Sequence, residues 1–249
     1  MAGEKTTATG GPSRSFTPTL WTVVLTAKDL QSPRRKAALQ TLVESYWKPL
    51  YSFVRRRGND PETSKDLTQG FFTALIEKNY LQYVDKDKGR FRTFLLMAIQ
   101  HYLSDDYDRS TAKKRGGGAT PLSLEFGAAE EGGLLNRAPS LPPEQLFQRE
   151  WAVEVLAQAM RALRAEYETS GRLAEFETLR QNLGYGASAG PSYGDLARTL
   201  GLSESDIRNR IHRARVRYRE AVLDVIRAYT DDEAGIQEEL RDLLTSFSS

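Results

Sequence analysis

The strongest constraint on this chain's fold lies between Ser192 and Ile226, where two helix starts stand close together with a glycine between them. Ser192 with Asp195, and Ser203 with Asp206, are each spaced three apart just before an apolar run. That spacing satisfies the free amides of a helix N-terminus. Gly201 sits where a tight turn needs a residue tolerant of positive φ. Leu196, Ala197, Leu200, Leu202, Ile207 and Ile211 can close a small shared core around that turn. The spacing is that of a helix-turn-helix.

On the second of these helices, Ile207, Ile211, Ala214, Tyr218 and Val222 recur on one face at about 100° per residue. Ser205, Asn209, His212 and Arg213 therefore point largely the other way, with Arg208 and Arg219 on the flank. Residues 207–219 hold six arginines and no acid. The chain as a whole balances 35 basic against 33 acidic residues, a formal charge of +2, so the concentration is local. Backbone phosphates are its natural partner. In a major groove, Ser205, Arg208 and Asn209 would reach base edges while the later arginines hold phosphates.

Elsewhere the chain punctuates itself into helices. A 3.6-residue apolar period runs from about Pro33 to Arg57 and ends at "RRRGND". Asp60 is a cap, Pro61 a first helical residue, and Glu62 complements the helix dipole, which predicts a helix to about Lys78. "RFRTFLLMAIQHYLSDDYDRSTAKKR" predicts another, ending near Arg115. A Gly, Pro, Ala and Ser-rich stretch, 116–143, reads as a linker. Beyond it, Leu146, Trp151, Val155, Met160 and Leu163 mark a further buried helical face. The acidic tail carries Leu240, Leu243, Leu244 and Phe247 at helical spacing. The expected fold is all-α: two small helical domains joined by a flexible linker, the second containing the helix-turn-helix. The expected boundaries are an N-terminal extension 1–32, a first domain 33–115, the linker 116–143, a second domain 144–228 and an amphipathic tail 229–249.

Several function classes are disfavoured. Cysteine is absent and the only histidines are His101 and His212, which removes disulfides, thiolate zinc sites and most histidine-based catalysis. The start of the chain lacks a signal peptide's apolar segment, and the longest apolar run, "FLLMAI", is too short to span a membrane. A soluble, cytoplasmic protein is expected. Asp105, Asp106 and Asp108 form an acidic group without a second cluster at a suitable spacing for magnesium. "DKDKG" lacks the closing glutamate of a calcium loop. No cofactor, metal or catalytic residue is assigned.

In order along the chain, "DLTQGFFTALIEK", "GRFRTFLLMAIQHYLSDDYDR" and "SYGDLARTLGLSESDIRNRIHRARVRYRE" together resemble the extracytoplasmic-function class of bacterial RNA polymerase sigma factors, over roughly residues 33–228. The resemblance implies that Asp66, Leu67, Gln69 and Phe72 dock on the β′ clamp helices of core RNA polymerase. It assigns reading and melting of the −10 promoter element to Arg90, Phe91, Arg92, Phe94, Tyr102 and Arg109. It assigns the −35 element to Ser205, Arg208, Asn209, His212 and Arg213, with the β flap as a further polymerase contact. Core packing is the other reading of Phe91, Phe94 and Tyr102, and "KKRG" at Lys113 to Gly116 is either a phosphate-contacting patch or a solvated helix end.

Gly70 stands where the family commonly has glutamate. Thr63, Ser64 and Thr68 lie near the start of the same helix, where phosphate would restore negative charge, so a Ser/Thr kinase is an expected partner alongside an anti-sigma factor. Two other classes stay open. One is a stand-alone helix-turn-helix regulator that binds an operator without polymerase. The other is a magnesium enzyme built on the aspartates.

Overall fold

A computed structural model describes residues 20–85, 89–112, 140–184, 190–228, 230 and 233–247. Among these the regular structure is entirely helical: α1 (Leu20–Lys28), α2 (Arg35–Arg56), α3 (Pro61–Glu77), α4 (Phe91–Ala112), α5 (Pro143–Thr169), α6 (Leu173–Leu179), α7 (Tyr193–Leu200), α8 (Glu204–Arg227) and α9 (Glu233–Thr245). Short 3-10 turns follow α3 and α6. Lys113 to Gly116 and most of the linker lie outside the described residues.

The start of α3 follows its sequence signals. The Asp60 carboxylate accepts hydrogen bonds from the Thr63 amide at 3.0 Å and the Thr63 hydroxyl at 2.6 Å, with Pro61 as the first helical residue. Helix α2 continues through Pro49 although proline gives up one backbone bond there. Its burial is nearly complete over the last two turns, where Leu50, Tyr51, Phe53 and Val54 are all inaccessible.

Helix α5 is the central strut. It packs along α2 on one side and α8 on the other, so the segments flanking the linker share one apolar cluster. Leu146, Phe147, Trp151, Ala152 and Val155 are fully buried in it. A buried polar thread between α2 and α5 is the Ser52 hydroxyl, which donates to Glu150 at 3.2 Å with both residues buried. A charge left between two packed helices needs such a partner.

The N-terminal extension is not featureless. Residues 20–28 form α1, and Trp21, Val24 and Ala27, spaced three apart, enter the core against α2. The Lys28 ammonium donates to the Val84 carbonyl at 3.0 Å, and the Trp21 amide to the Ala228 carbonyl at 3.3 Å. The surrounding Gly, Thr and Ser residues mask this short apolar period in the sequence. In the tail, α9 buries Ile236 and Leu243, whereas Leu244 and Phe247, which follow the same helical spacing, are exposed. Among the described residues no helix is long and apolar enough to cross a membrane.

Candidate nucleic-acid interface

Helices α7 and α8 meet through a turn built by local chemistry. The Ser192 hydroxyl oxygen accepts from the Asp195 amide at 3.1 Å, and the Ser203 hydroxyl oxygen from the Asp206 amide at 3.1 Å. At α8 the Asp206 carboxylate also accepts from the Ser203 amide, completing a capping box. Hydrogen bonds from Ser192 hold the Asp195 carboxyl below the usual carboxylate range, with Arg198 adding to the effect. Those from Ser203 do the same for Asp206. Gly201 adopts φ +65°, and the Leu202 amide returns to the Ala197 carbonyl at 3.0 Å. An alanine there would be strained.

One face of α8 is buried through Ile207, Ile211, Ala214, Tyr218, Val222 and Ile226, and the Tyr218 hydroxyl donates to the Leu156 carbonyl of α5 at 3.1 Å. Ser205, Arg208, Asn209, His212 and Arg213 are all exposed on the opposite side. The alternation follows directly from the helical period of the apolar residues.

The six arginines divide into two groups, a distinction the sequence reading did not make. Arg210 reaches Glu175 of α6 at 2.6 Å, Arg215 grips the Asn182 carbonyl at 2.8 and 3.0 Å, and Arg217 pairs with Glu166 of α5 at 2.8 Å and also with Glu220. These three fasten α8 to its support. Burial pushes the Glu175 carboxyl up, but hydrogen bonds and charge from Arg172 and Arg210 outweigh it, and the net shift is downward. Arg208 lies over the Tyr193 ring at 5.9 Å, while Arg213 and Arg219 have no ion pair among the described residues. Arg208, Arg213 and Arg219 are therefore the exposed cations of the six without a carboxylate or carbonyl partner among the described residues.

The residues expected to meet the −10 element sit differently. Phe91 is 5% exposed, edge-on to Tyr46 at 5.5 Å and stacked with the half-buried Phe94 at 6.0 Å, so its role here is packing. Tyr102 is half-buried and edge-on to Phe71 at 5.8 Å. Arg92 is 2% exposed: its guanidinium lies 4.1 Å from the Trp151 ring centroid, donates to Gln148 at 3.0 Å, and pairs with Glu239 and Asp242 of α9. Arg90 pairs with Glu238 at 2.9 Å, Glu239 at 3.5 Å and Asp242. Burial works against its charge, but those carboxylates outweigh it and hold the guanidinium more firmly protonated. The Arg109 side chain lies outside the described residues. No local pattern links Arg90 and Arg92 to carboxylates about 150 positions away, which is why the sequence reading missed Glu238, Glu239 and Asp242.

On α3, Asp66 is exposed and Leu67 and Gln69 are half-buried, whereas Phe72 is 1% exposed and belongs to the core. Ser64 and Thr68 are fully buried, and the Thr68 hydroxyl donates to the Ser64 carbonyl at 2.7 Å. A phosphate on either would place charge inside the packed helices. Thr63 alone of the three hydroxyls is exposed. Asp105 is exposed and Asp106 half-exposed, and among the described residues no three His, Cys, Asp or Glu side chains gather as metal ligands.

No family model and no solved structure matches the chain. It is 24% identical over 183 residues to RNA polymerase sigma factor YlaC of Bacillus subtilis (strain 168), a similarity that covers 74% of this chain and 91% of that relative. The similarity supports a sigma factor.

Proposed function

We propose that this chain is a sigma factor of the extracytoplasmic-function class. It binds core RNA polymerase in the cytoplasm and directs promoter-specific initiation without making or breaking covalent bonds. The observation that carries this reading is the exposed face of α8, where Ser205, Arg208, Asn209, His212 and Arg213 lie together, while Arg210, Arg215 and Arg217 of the same helix are committed to its support. Such a face fits a major groove, with Arg208 and Asn209 suited to base edges and Arg213 to phosphate. Similarity to a sigma factor over 74% of the chain supports the same reading.

In this reading residues 144–228 serve the −35 element as a helix-turn-helix, and residues 33–115 serve core polymerase and the −10 element. Asp66, Leu67 and Gln69 are the reachable part of the polymerase contact, and Phe72 supports it from within the core. Thr63 is the hydroxyl open to a Ser/Thr kinase, and phosphate there would sit in the first turn of α3, where the helix dipole favours it.

Run-off transcription by a bacterial core polymerase, on a promoter-fragment library with and without the chain at fixed salt, tests the reading. Defined start sites that require the chain support it. A chain that ignores core yet shifts specific duplex DNA is the stand-alone regulator instead.

A further inference from the structure

The acidic tail helix α9 packs its carboxylates against the two arginines at the start of α4. Glu238, Glu239 and Asp242 of α9 present their carboxylates to Arg90 and Arg92, and Arg92 is sealed between them and the Trp151 ring. A guanidinium binds carboxylate and phosphate through the same forked geometry. We propose that α9 is a built-in phosphate mimic: an acidic latch that occupies Arg90 and Arg92 until DNA phosphates replace it. The inference rests on the reading of those arginines as DNA contacts.

Two features favour a latch over a fixed strut. Its apolar hold is small, with Ile236 and Leu243 buried, Leu240 partly so, and Leu244 and Phe247 exposed, so ion pairs form much of the attachment. A desolvated ion pair is also a weak way to stabilise a fold compared with an apolar contact, and its best-attested uses are registry and switching. Release of α9 uncovers two cations at once, next to the exposed loop residue Gly89.

The test uses the full-length chain and a labelled single-stranded oligonucleotide of mixed sequence. Glu238→Gln, Glu239→Gln and Asp242→Asn are combined to remove the mimic's charge. Two additional phosphate contacts steepen the slope of log K against log salt by about 1.4, so affinity falls about sevenfold more between about 50 and 200 mM salt than for the unaltered chain. Adding Arg90→Gln and Arg92→Gln removes that gain. Equal slopes for the unaltered and neutralised chains, or a gain that survives loss of both arginines, overturns the latch.

Should the neutralised chain lose its helical circular dichroism, a tether decides. Gln145 of α5 and Thr245 of α9 line the same surface pocket, and the chain has no native cysteine. Gln145→Cys and Thr245→Cys joined by a bismaleimide should weaken single-strand binding severalfold while leaving duplex binding through α8 intact. Unchanged single-strand binding overturns the proposal. Run-off transcription by the untethered chain separates the two ideas: promoter-specific transcripts keep the initiation reading even if the latch fails, and a latch without core binding removes only the initiation reading.

Discussion

The hydroxyl of Tyr102 in α4 lies over Gly70 in α3, so closely that a Cβ at position 70 would come within 2.4 Å of the oxygen. Glycine at this position thus has a steric reason within this chain. Gly70→Ala gains about 1 kcal/mol of helix propensity, but it must displace a ring wedged against Phe71, which costs about 1–3 kcal/mol. The expected net result is a loss of about 1 kcal/mol in urea unfolding. In a Tyr102→Phe background the same substitution should become stabilising, because the next ring atom is 3.5 Å away. A loss of equal size in both backgrounds would remove Tyr102 as the cause.

The caps of α3, α7 and α8 set an acid limit on stability. A hydrogen bond from the Thr63 hydroxyl depresses Asp60, one from Ser192 depresses Asp195, and one from Ser203 depresses Asp206. A carboxyl with a depressed folded pKa contributes stability that is fully present above the unfolded value and is lost as pH falls through the folded one. The ordinary value for these groups is 3.8, so the loss begins near pH 4 and deepens below it. Replacing all three by Asn should flatten the dependence of the urea midpoint on pH between about 5 and 3. At the hydroxyl side, Ser203→Ala should cost about 1 kcal/mol at neutral pH.

Where a feature depends on neighbours within a turn or two, it was legible in the sequence. The caps at Asp60, Ser192 and Ser203, the turn at Gly201 and the buried face of α8 all follow from spacing alone. What was not legible depends on distant partners. The division of the α8 arginines is decided by Glu166, Glu175 and the Asn182 carbonyl, and the fate of Arg92 by Trp151 and α9. Aromatic residues near an arginine, as in "RFRTF", suit both a core and a nucleic-acid surface, and only packing against Trp21 and Tyr46 commits Phe91 to the first. Helix α1 leaves little signal in the sequence because nine residues hold too few turns for a period to stand out.

The two groups of arginines on α8 should separate in mutagenesis. Arg213→Ala removes an exposed cation without an ion pair among the described residues, so stability should change by less than about 0.5 kcal/mol. For duplex carrying its preferred site, the salt slope should fall by about 0.9. Arg210→Ala takes a guanidinium from the partly buried Glu175, which keeps Arg172, and should cost about 1 kcal/mol of stability. Its salt slope should stay near that of the parent. Interchanged effects would show that Arg210, rather than Arg213, faces DNA.

The shared cluster around α5 predicts how the chain unfolds. Leu50 of α2 and Phe147 of α5 are both fully buried in it. If the segments on either side of the linker were independent, Leu50→Ala would weaken only the first. With α5 packed on both α2 and α8, the loss should propagate: Leu50→Ala is expected to cost about 2–5 kcal/mol, and the most protected amides of α8, such as Ile211 and Val222, should lose hydrogen-exchange protection by the same free energy. Phe147→Ala, at about 3–5 kcal/mol, should act identically on α2. Such transfer makes the contact of α2 with α5 part of a single cooperative unit. Unchanged protection in α8 with a destabilised α2 would mean that the two segments open independently, each with its own core.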